Sequence, residues 1–182
     1  KETHDEYFDR ITSLPPKESE NMEKMIWMKE KFSNHLSKGG SLLDIGCGGG
    51  VFIHTFRQNF PNWTAWGVEP TDAFAKLATR RLEQPVHSGL FKPGIFEGKK
   101  FDLITINQVI EHVDNPIEFL SQVREDLADG GMVYIETPEA SDFGELPPEH
   151  DRFLMQHLWY FDEKSMTTLA GKAGFSPVIL TK

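Results

Sequence analysis

The amino-acid sequence predicts an α/β fold: a doubly wound, mostly parallel sheet with helices on both faces. Three observations lead to this prediction. Short apolar runs alternate along the chain with segments whose apolar residues recur at helical spacing. The clearest run, Phe101 to Asn107, is almost continuously apolar, as a parallel strand buried on both faces requires. A glycine cluster, Gly46 to Gly50, joins the first run directly to the helical segment that follows it.

The predicted elements follow one another in a regular order. Residues 1–20 are predicted to form a polar N-terminal arm with at most a short turn, and residues 21–182 form the domain. The predicted helices run from Asn21 to Gly39-Gly40, from Val51 to Phe60, from Asp72 to Leu82, from Pro116 to Gly130-Gly131, and from an Asp162 cap to Gly174. The predicted strands are 41–45, 64–68, 85–91, 101–107 and 132–137, with another that starts at Phe175.

Charge and composition argue against several classes of protein. The formal net charge is −9 and no long run of Lys or Arg is present, so nucleic acid is not expected as a partner. No apolar stretch reaches membrane-spanning length, so no membrane partner is expected. Cys47 is the only cysteine, which excludes an intramolecular disulfide and fits a reducing, cytoplasmic location. The chain begins with Lys1 and ends on a strand-like run, so we expect the natural protein to be longer.

Residues 42–50, with the sequence LLDIGCGGG, form the most informative segment. A phosphate-binding P-loop requires a Lys after its glycines, and none follows here. A dinucleotide-binding loop requires a third glycine where this chain has Val51, which weakens that interpretation without removing it. The third interpretation is a loop in which Asp44, at the end of the strand, attracts a ligand that has an ammonium group and no phosphate.

At these residues the chain resembles the class I S-adenosylmethionine-dependent methyltransferases, of the type that acts on small molecules. Residues 42–50 resemble the first motif of that family, and residues 66–70, WGVEP, resemble the second. Further resemblances lie in segments 101–104, 109–113 and 127–135. The resemblance covers about residues 22–180. It implies a Rossmann-like methyltransferase fold, S-adenosyl-L-methionine as the cofactor and methyl transfer to a small-molecule acceptor. The antiparallel strand that usually finishes the family's sheet is expected to be missing here.

The same resemblance implies which residues bind the cofactor. Asp44 and the glycines match the loop that holds the methionine end, and Glu69 matches the acid that accepts both ribose hydroxyls. Leu90 stands where the family usually has an acid, so backbone groups would have to bind the adenine amino group. Cys47 is expected to be a small filler of the turn. The full set is Asp44, Gly46, Cys47, Gly48, Glu69, Pro70, Gly89, Leu90, Asn107 and Gln108.

Three histidines are the candidate catalytic residues: His112, His150 and His157. A base is needed only where the acceptor must lose a proton, because the sulfonium already activates the methyl group. His112 matches a histidine of similar small-molecule methyltransferases, whereas the other two lie in an aromatic segment before the last helix. Each histidine could instead cap or orient a loop. No metal site is predicted, since the spacing of His150, Asp151 and His157 is not diagnostic.

Two alternative functions stay open. The first is a pseudoenzyme or regulatory scaffold that binds the cofactor, and it would lack an acceptor pocket. The second is an NAD(P)-dependent oxidoreductase or nucleotide-sugar enzyme on a similar sheet, against which Val51 argues. The N-terminal arm, with Tyr7 and Phe8, is hypothesised to fold over the cofactor cleft. The pattern does not indicate an oligomeric state.

Overall fold

The computed structural model describes residues 2–141, 143–145 and 156–177. The strands in these ranges are β1 Gly40–Ile45, β2 Trp63–Glu69, β3 His87–Ser88, β4 Phe101–Asn107 and β5 Leu127–Glu136. Every pair is parallel, and the order across the sheet is β3-β2-β1-β4-β5. The winding therefore reverses between β1 and β4, which confirms the doubly wound topology and places a ligand crevice at their carboxyl ends.

Helices connect and cover these strands. They are α1 His4–Thr12, α2 Glu20–Lys31, α3 Ser33–Leu36, α4 Val51–Asn59, α5 Asp72–Leu82, α6 Pro116–Glu125 and α7 Glu163–Lys172. Short 3₁₀ turns lie at Ile110–His112 and Phe143–Glu145. Within the described ranges, none of the helices is long and apolar enough to cross a bilayer.

The sheet separates two hydrophobic cores because neighbouring strand residues point to opposite faces. Leu42 belongs to the core formed with α2, α4 and α5, whereas Leu43 belongs to the core formed with α6 and α7. Both side chains have no exposed surface. The two cores confirm that helices cover both faces, and they fix where the strand ends lie.

The glycine pair after α6 corrects one predicted boundary. The helix was expected to continue to Gly130-Gly131, but it ends at Glu125 and β5 begins at Leu127. The pairing shifts from Phe101↔Leu127 to Leu103↔Met132, so the glycines lie in a bulge inside the strand. Gly130 has a φ of +74°, which favours glycine in such a bulge.

The N-terminal arm contains more structure than the predicted short turn. It forms α1, which begins with a capping box between Thr3 and Glu6. Phe8 is only 3% exposed and packs edge-on against His54 of α4. Burying a phenylalanine contributes about 1.5–3 kcal/mol, so this side chain helps to hold the helix on the domain. The strand predicted from Phe175 has no strand structure up to residue 177, and its remainder lies outside the described residues.

Candidate active site

A cleft of about 470 Å³ opens at the carboxyl ends of β1 and β4. One wall is the glycine loop after β1, and the opposite wall is the start of α1, including Thr3, His4 and Tyr7. Four of the predicted cofactor residues of the loop line it directly: Asp44, Gly46, Cys47 and Gly48. Val51 also lines it, where a dinucleotide-binding loop would need glycine. The fold therefore brings the glycine loop and the N-terminal helix to one ligand-sized space.

Asp44 lies at the floor of this cleft and is 2% exposed. Its Oδ1 accepts hydrogen bonds from Thr105 Oγ1 at 2.7 Å and from Asn107 Nδ2 at 3.1 Å. Burial raises the pKa of this carboxyl to about 7. The two hydrogen bonds and the charge of Lys24 lower the pKa, but their effect is smaller than that of burial. Because both donors reach the same oxygen, Oδ2 stays available to a cation in the cleft.

Glu69, at the end of β2, is 6% exposed and connects two loops. Its Oε2 accepts from the backbone N–H of Gly48 at 2.9 Å, and its Oε1 accepts from the N–H of Thr71 at 2.8 Å. The carboxylate therefore links the glycine loop to the turn that leads into α5. Each of its oxygens keeps a lone pair for a further donor, as ribose hydroxyls would be.

Gly46 and Gly48 are required for different reasons. A Cβ on Gly46 would lie 2.4 Å from Val109 Cγ2, whereas a Cβ on Gly48 would meet nothing within 4 Å. Both residues have positive φ, +77° and +53°. Gly46 is thus needed for close packing against the segment after β4. Gly48 is needed for the backbone conformation of the turn, and the space next to its Cα is open.

Cys47 fills the turn, as expected from the sequence. It is 7% exposed, and its Sγ would lie 2.7 Å from a Cβ placed on Gly67 of the neighbouring strand. Burial and the charges of Asp44 and Glu69 raise the pKa of the thiol, so it stays protonated and is a poor nucleophile.

The residues predicted near the adenine lie beside the cleft rather than in its lining. Pro70 is exposed, and Leu90 is 71% exposed. Gly89 has a φ of +148° and donates its N–H to the carbonyl of Glu69 at 3.0 Å. Their assignment to the adenine stays a prediction.

The two residues at the end of β4 differ in orientation. Asn107 lines the cleft beside Asp44. Gln108 has a φ of +53°, and its backbone N–H donates to the carbonyl of Glu136 at 2.9 Å. A non-glycine residue in this region is uncommon and indicates a backbone that its surroundings hold in place. Gln108 therefore connects the ends of β4 and β5, and no contact directs it into the cleft.

The 3₁₀ turn after β4 brings two of the predicted histidines together. The rings of His112 and His157 lie 4.8 Å apart. Glu111, between them and the core, is fully buried. His150, the third candidate, lies outside the described residues. Glu111 was not among the residues predicted for the site, although a lone acid in the apolar segment 109–113 was the available signal. Thr105, a polar residue within a buried strand, was not predicted either.

A second cavity, of about 530 Å³, lies between α2 and β5. Trp27, Tyr134 and Phe161 contribute aromatic surface to it. Lys24 and Glu136 form an ion pair of 2.9 Å in its wall, and Tyr134 Oη donates to Glu136 at 2.8 Å. Burial raises the pKa of the Tyr134 phenol above its usual range. Helix α2 borders both spaces, since Lys24 lines this cavity and Asn21 lines the cleft.

Comparisons with known proteins show which family the chain resembles. The profile of a protein family described as a methyltransferase domain matches residues 6–180. A tRNA U34 carboxymethyltransferase from Colwellia psychrerythraea is 29% identical over 161 residues, which are 82% of this chain and 49% of that protein. A ubiquinone biosynthesis O-methyltransferase from Pseudomonas aeruginosa is 28% identical over 145 residues, or 72% of this chain and 57% of that protein. The chain spans about half the length of these curated relatives.

Solved structures show the same fold. The plantazolicin methyltransferase BamL, in complex with a triazolic desmethylPZN analog and SAH, superposes with a TM-score of 0.69 at 20% identity. That match covers 92% of this chain and 65% of BamL. An O-methyltransferase family protein from Burkholderia thailandensis gives a TM-score of 0.68 at 16% identity, covering 93% of this chain and 53% of that one.

Proposed function

The chain belongs to the methyltransferase domain family, and on that premise we propose that it transfers a methyl group from S-adenosyl-L-methionine to a small-molecule acceptor. The observation that best supports this is the cleft after β1, with the carboxyl of Asp44 at its floor. S-adenosyl-L-methionine carries an ammonium group and a sulfonium, so a cleft lined by the buried acid Asp44 and by neither Lys nor Arg suits it. The oxidoreductase interpretation loses support, because Val51 occupies the place of the third glycine.

The cofactor's two ends are assigned to different acids. Asp44 Oδ2 would receive the ammonium, and Asn107 would hold the carboxyl's other oxygen so that the charge stays in place. Glu69 would accept the ribose hydroxyls while it keeps its bonds to the two loops. The backbone of Gly48 can approach the ligand closely, since nothing stands above it. Helix α1 would close the cleft from the opposite side.

Methyl transfer then depends mainly on how the acceptor is held in line with the sulfonium. The cavity between α2 and β5, with its aromatic walls and the Lys24–Glu136 pair, has the size and chemistry for a small organic acceptor. An acceptor pocket of this kind counts against a pure scaffold. His112, in the 3₁₀ turn after β4, and His157, in the segment before α7, line neither cavity, so their role as bases for a hydroxyl acceptor stays a prediction from the sequence.

The class of acceptor is the finer part of this proposal. The similar proteins include enzymes named for tRNA and for ubiquinone biosynthesis. A net charge of −9 favours a small molecule, because binding the tRNA backbone requires a basic surface. A cytoplasmic location stays a prediction from the single cysteine.

Calorimetry tests the cofactor assignment. The protein is titrated with S-adenosylmethionine, S-adenosylhomocysteine and NAD, and the titrations are repeated on Asp44→Ala and Glu69→Ala. We expect both adenosyl ligands to bind and each substitution to weaken binding by about tenfold or more, as the loss of a charged hydrogen bond implies. Glu30→Ala is the matched control, since Glu30 is an exposed acid that pairs with its neighbour Lys31.

Two outcomes would contradict the proposal. Binding of NAD without binding of either adenosyl ligand would overturn the cofactor. Transfer of a labelled methyl group to bulk tRNA, with none to phenolic, amine or carboxylic small molecules, would overturn the acceptor class.

A further inference from the structure

We propose that Glu111, His112 and His157 form a binding site for one divalent transition-metal cation of the kind that imidazole and carboxylate ligands select, such as Zn²⁺, Co²⁺ or Fe²⁺. Glu111 and His112 lie in the 3₁₀ turn after β4, and His157 lies in the segment before α7; none of the three lines either cavity described above. The binding of the cation does not depend on the proposed methyl transfer.

The carboxylate of Glu111 is the observation that points to a ligand. The residue has no exposed surface, and neither Oε1 nor Oε2 has a hydrogen-bond partner in the described part of the chain. Other buried carboxylates are satisfied: Asp44 by Thr105 and Asn107, Glu69 by two backbone N–H groups, and Asp126 by the N–H of Gly94 at 3.0 Å. Burying an unpaired carboxylate is costly unless a partner or a metal compensates for it.

A hydrogen bond to the backbone holds His112 in the tautomer that a metal-binding histidine needs. Its Nδ1 lies 2.9 Å from the carbonyl oxygen of Gln156, and since a carbonyl can only accept, this nitrogen is the donor. The other nitrogen, Nε2, therefore carries a free lone pair. Metal-binding histidines typically donate their second N–H to a carbonyl or carboxylate in this manner.

His157 supplies the third ligand from a different part of the chain. Its Nδ1 is buried and has no hydrogen-bond partner among the described residues. The backbone holds this segment against the 3₁₀ turn, because Leu158 and Trp159 both donate their N–H groups to the carbonyl of Glu111, at 2.8 and 3.2 Å. The position of His157 beside Glu111 is thus fixed by two hydrogen bonds rather than by side-chain contact alone.

The distances allow one ion to bind all three groups. One ligand atom from each residue lies within 4.8 Å of the others. Bonds of about 2.0–2.2 Å place ligand atoms about 3–4 Å apart, so small side-chain rotations would complete the site. Two imidazoles and one carboxylate leave further coordination positions for water.

A titration with Co²⁺ tests the site directly. Tag-free protein is treated with a chelator, dialysed and titrated with Co²⁺, and the visible absorption of the bound ion is followed; Zn²⁺ then competes in calorimetry. We expect one equivalent to bind, and Glu111→Gln and His157→Ala each to weaken binding by about tenfold or more. His54→Ala is the control, because His54 lies on α4 with Gln58 as its hydrogen-bond partner.

Thermal unfolding separates loss of the site from loss of the fold. Zn²⁺ should raise the melting temperature of the wild type and of His54→Ala, but not that of Glu111→Gln or His157→Ala. If one variant fails to fold, the other still decides the result. The proposal is overturned if the wild type binds neither Co²⁺ nor Zn²⁺ stoichiometrically, or if both site variants bind as the wild type does. Calorimetry with S-adenosylmethionine on the same samples reports on the proposed function independently.

Discussion

The glycine loop after β1 and the 3₁₀ turn after β4 both lie at the carboxyl ends of the parallel strands. They differ in whether the protein itself donates hydrogen bonds to the buried acids found there. In the glycine loop, Asp44 and Glu69 each accept two hydrogen bonds from the protein itself. In the 3₁₀ turn, Glu111 accepts none within the described ranges. The acids of the first region are therefore held in place by protein donors before a ligand binds. In the second region, both oxygens of Glu111 are left for a ligand.

This difference indicates how each region meets its ligand. Carboxylates held by fixed donors are already oriented, so little reorganisation is needed when a cofactor binds. A buried carboxylate without donors keeps all of its capacity for a cation. The two regions touch where Gly46 packs against Val109, so that a change in one can disturb the other.

The largest expected loss of stability comes from adding a side chain at Gly46, where the two regions are in contact. Gly46→Ala would place a Cβ 2.4 Å from Val109 Cγ2 at a φ of +77°. We expect a loss of about 2–4 kcal/mol in the free energy of unfolding, from overpacking and backbone strain together. Urea unfolding measures it. Gly48→Ala is the matched control, since it meets open space and should lose only about 1–2 kcal/mol.

A double variant shows whether the clash is the cause. Gly46→Ala with Val109→Ala should lose less stability than the sum of the two single variants, by about 1 kcal/mol or more. Strict additivity would mean that the backbone conformation of Gly46, and not its contact with the second region, sets the cost.

A smaller effect should appear in the pH dependence of cofactor binding. With a pKa of about 7, the Asp44 carboxyl is partly protonated in the free protein near neutral pH. The ammonium of the cofactor favours the ionised form, so binding below that pKa must release a proton. Affinity should therefore rise about tenfold from pH 6 to pH 8 and level off above. Calorimetry in buffers of different ionisation enthalpy would detect the released proton.

The Asp44 carboxyl has the opposite effect on stability: a rise in pH strengthens cofactor binding but lowers the free energy of unfolding. Its pKa in the folded protein lies above the unfolded value, so the folded state binds more protons between about pH 4 and pH 7 and stability falls as the pH rises through that window. Asp44→Asn should remove this fall, and it should also abolish the pH dependence of binding. A wild-type affinity that stays constant from pH 6 to pH 8 would show that Asp44 does not hold the ammonium.

The smallest expected effect concerns the ion pairs that hold α1 over the first region. Asp5 pairs with Arg80 and Arg81 of α5; Asp5 and Arg80 are largely exposed, and Arg81 is partly exposed. Asp5→Asn should speed cofactor dissociation only slightly, and added salt should mimic it, because exposed pairs are screened. Stopped-flow dissociation measures it, with Glu30→Gln as a control of equal charge change. A large, salt-independent effect would instead assign Asp5 a direct role in the cleft.

Local sequence patterns predicted most of the sheet and the glycine loop that lines the cleft. The strand at Phe101 to Asn107 matches to the residue, because a continuous apolar run bounded by polar residues leaves little choice. Asn115 caps α6 as expected, accepting from the N–H of Glu118. The glycine pair at 130–131 was misplaced because a glycine pair ends helices and also makes bulges. Only the pairing of β5 with β4 decides between these two roles.

The order of strands and helices, the glycine loop between Asp44 and Gly48, and the position of Glu69 at the end of a strand are predictable from the sequence alone, since each depends on residues close together in the chain. Only the folded chain shows that α1 lines the cleft, that Thr105 donates to Asp44, and that His157 lies beside Glu111. The difference arises from separation along the chain. A hydrogen-bond partner about sixty residues away, or a ligand from another loop, leaves no periodic pattern and becomes visible only when the parallel strands place their ends together.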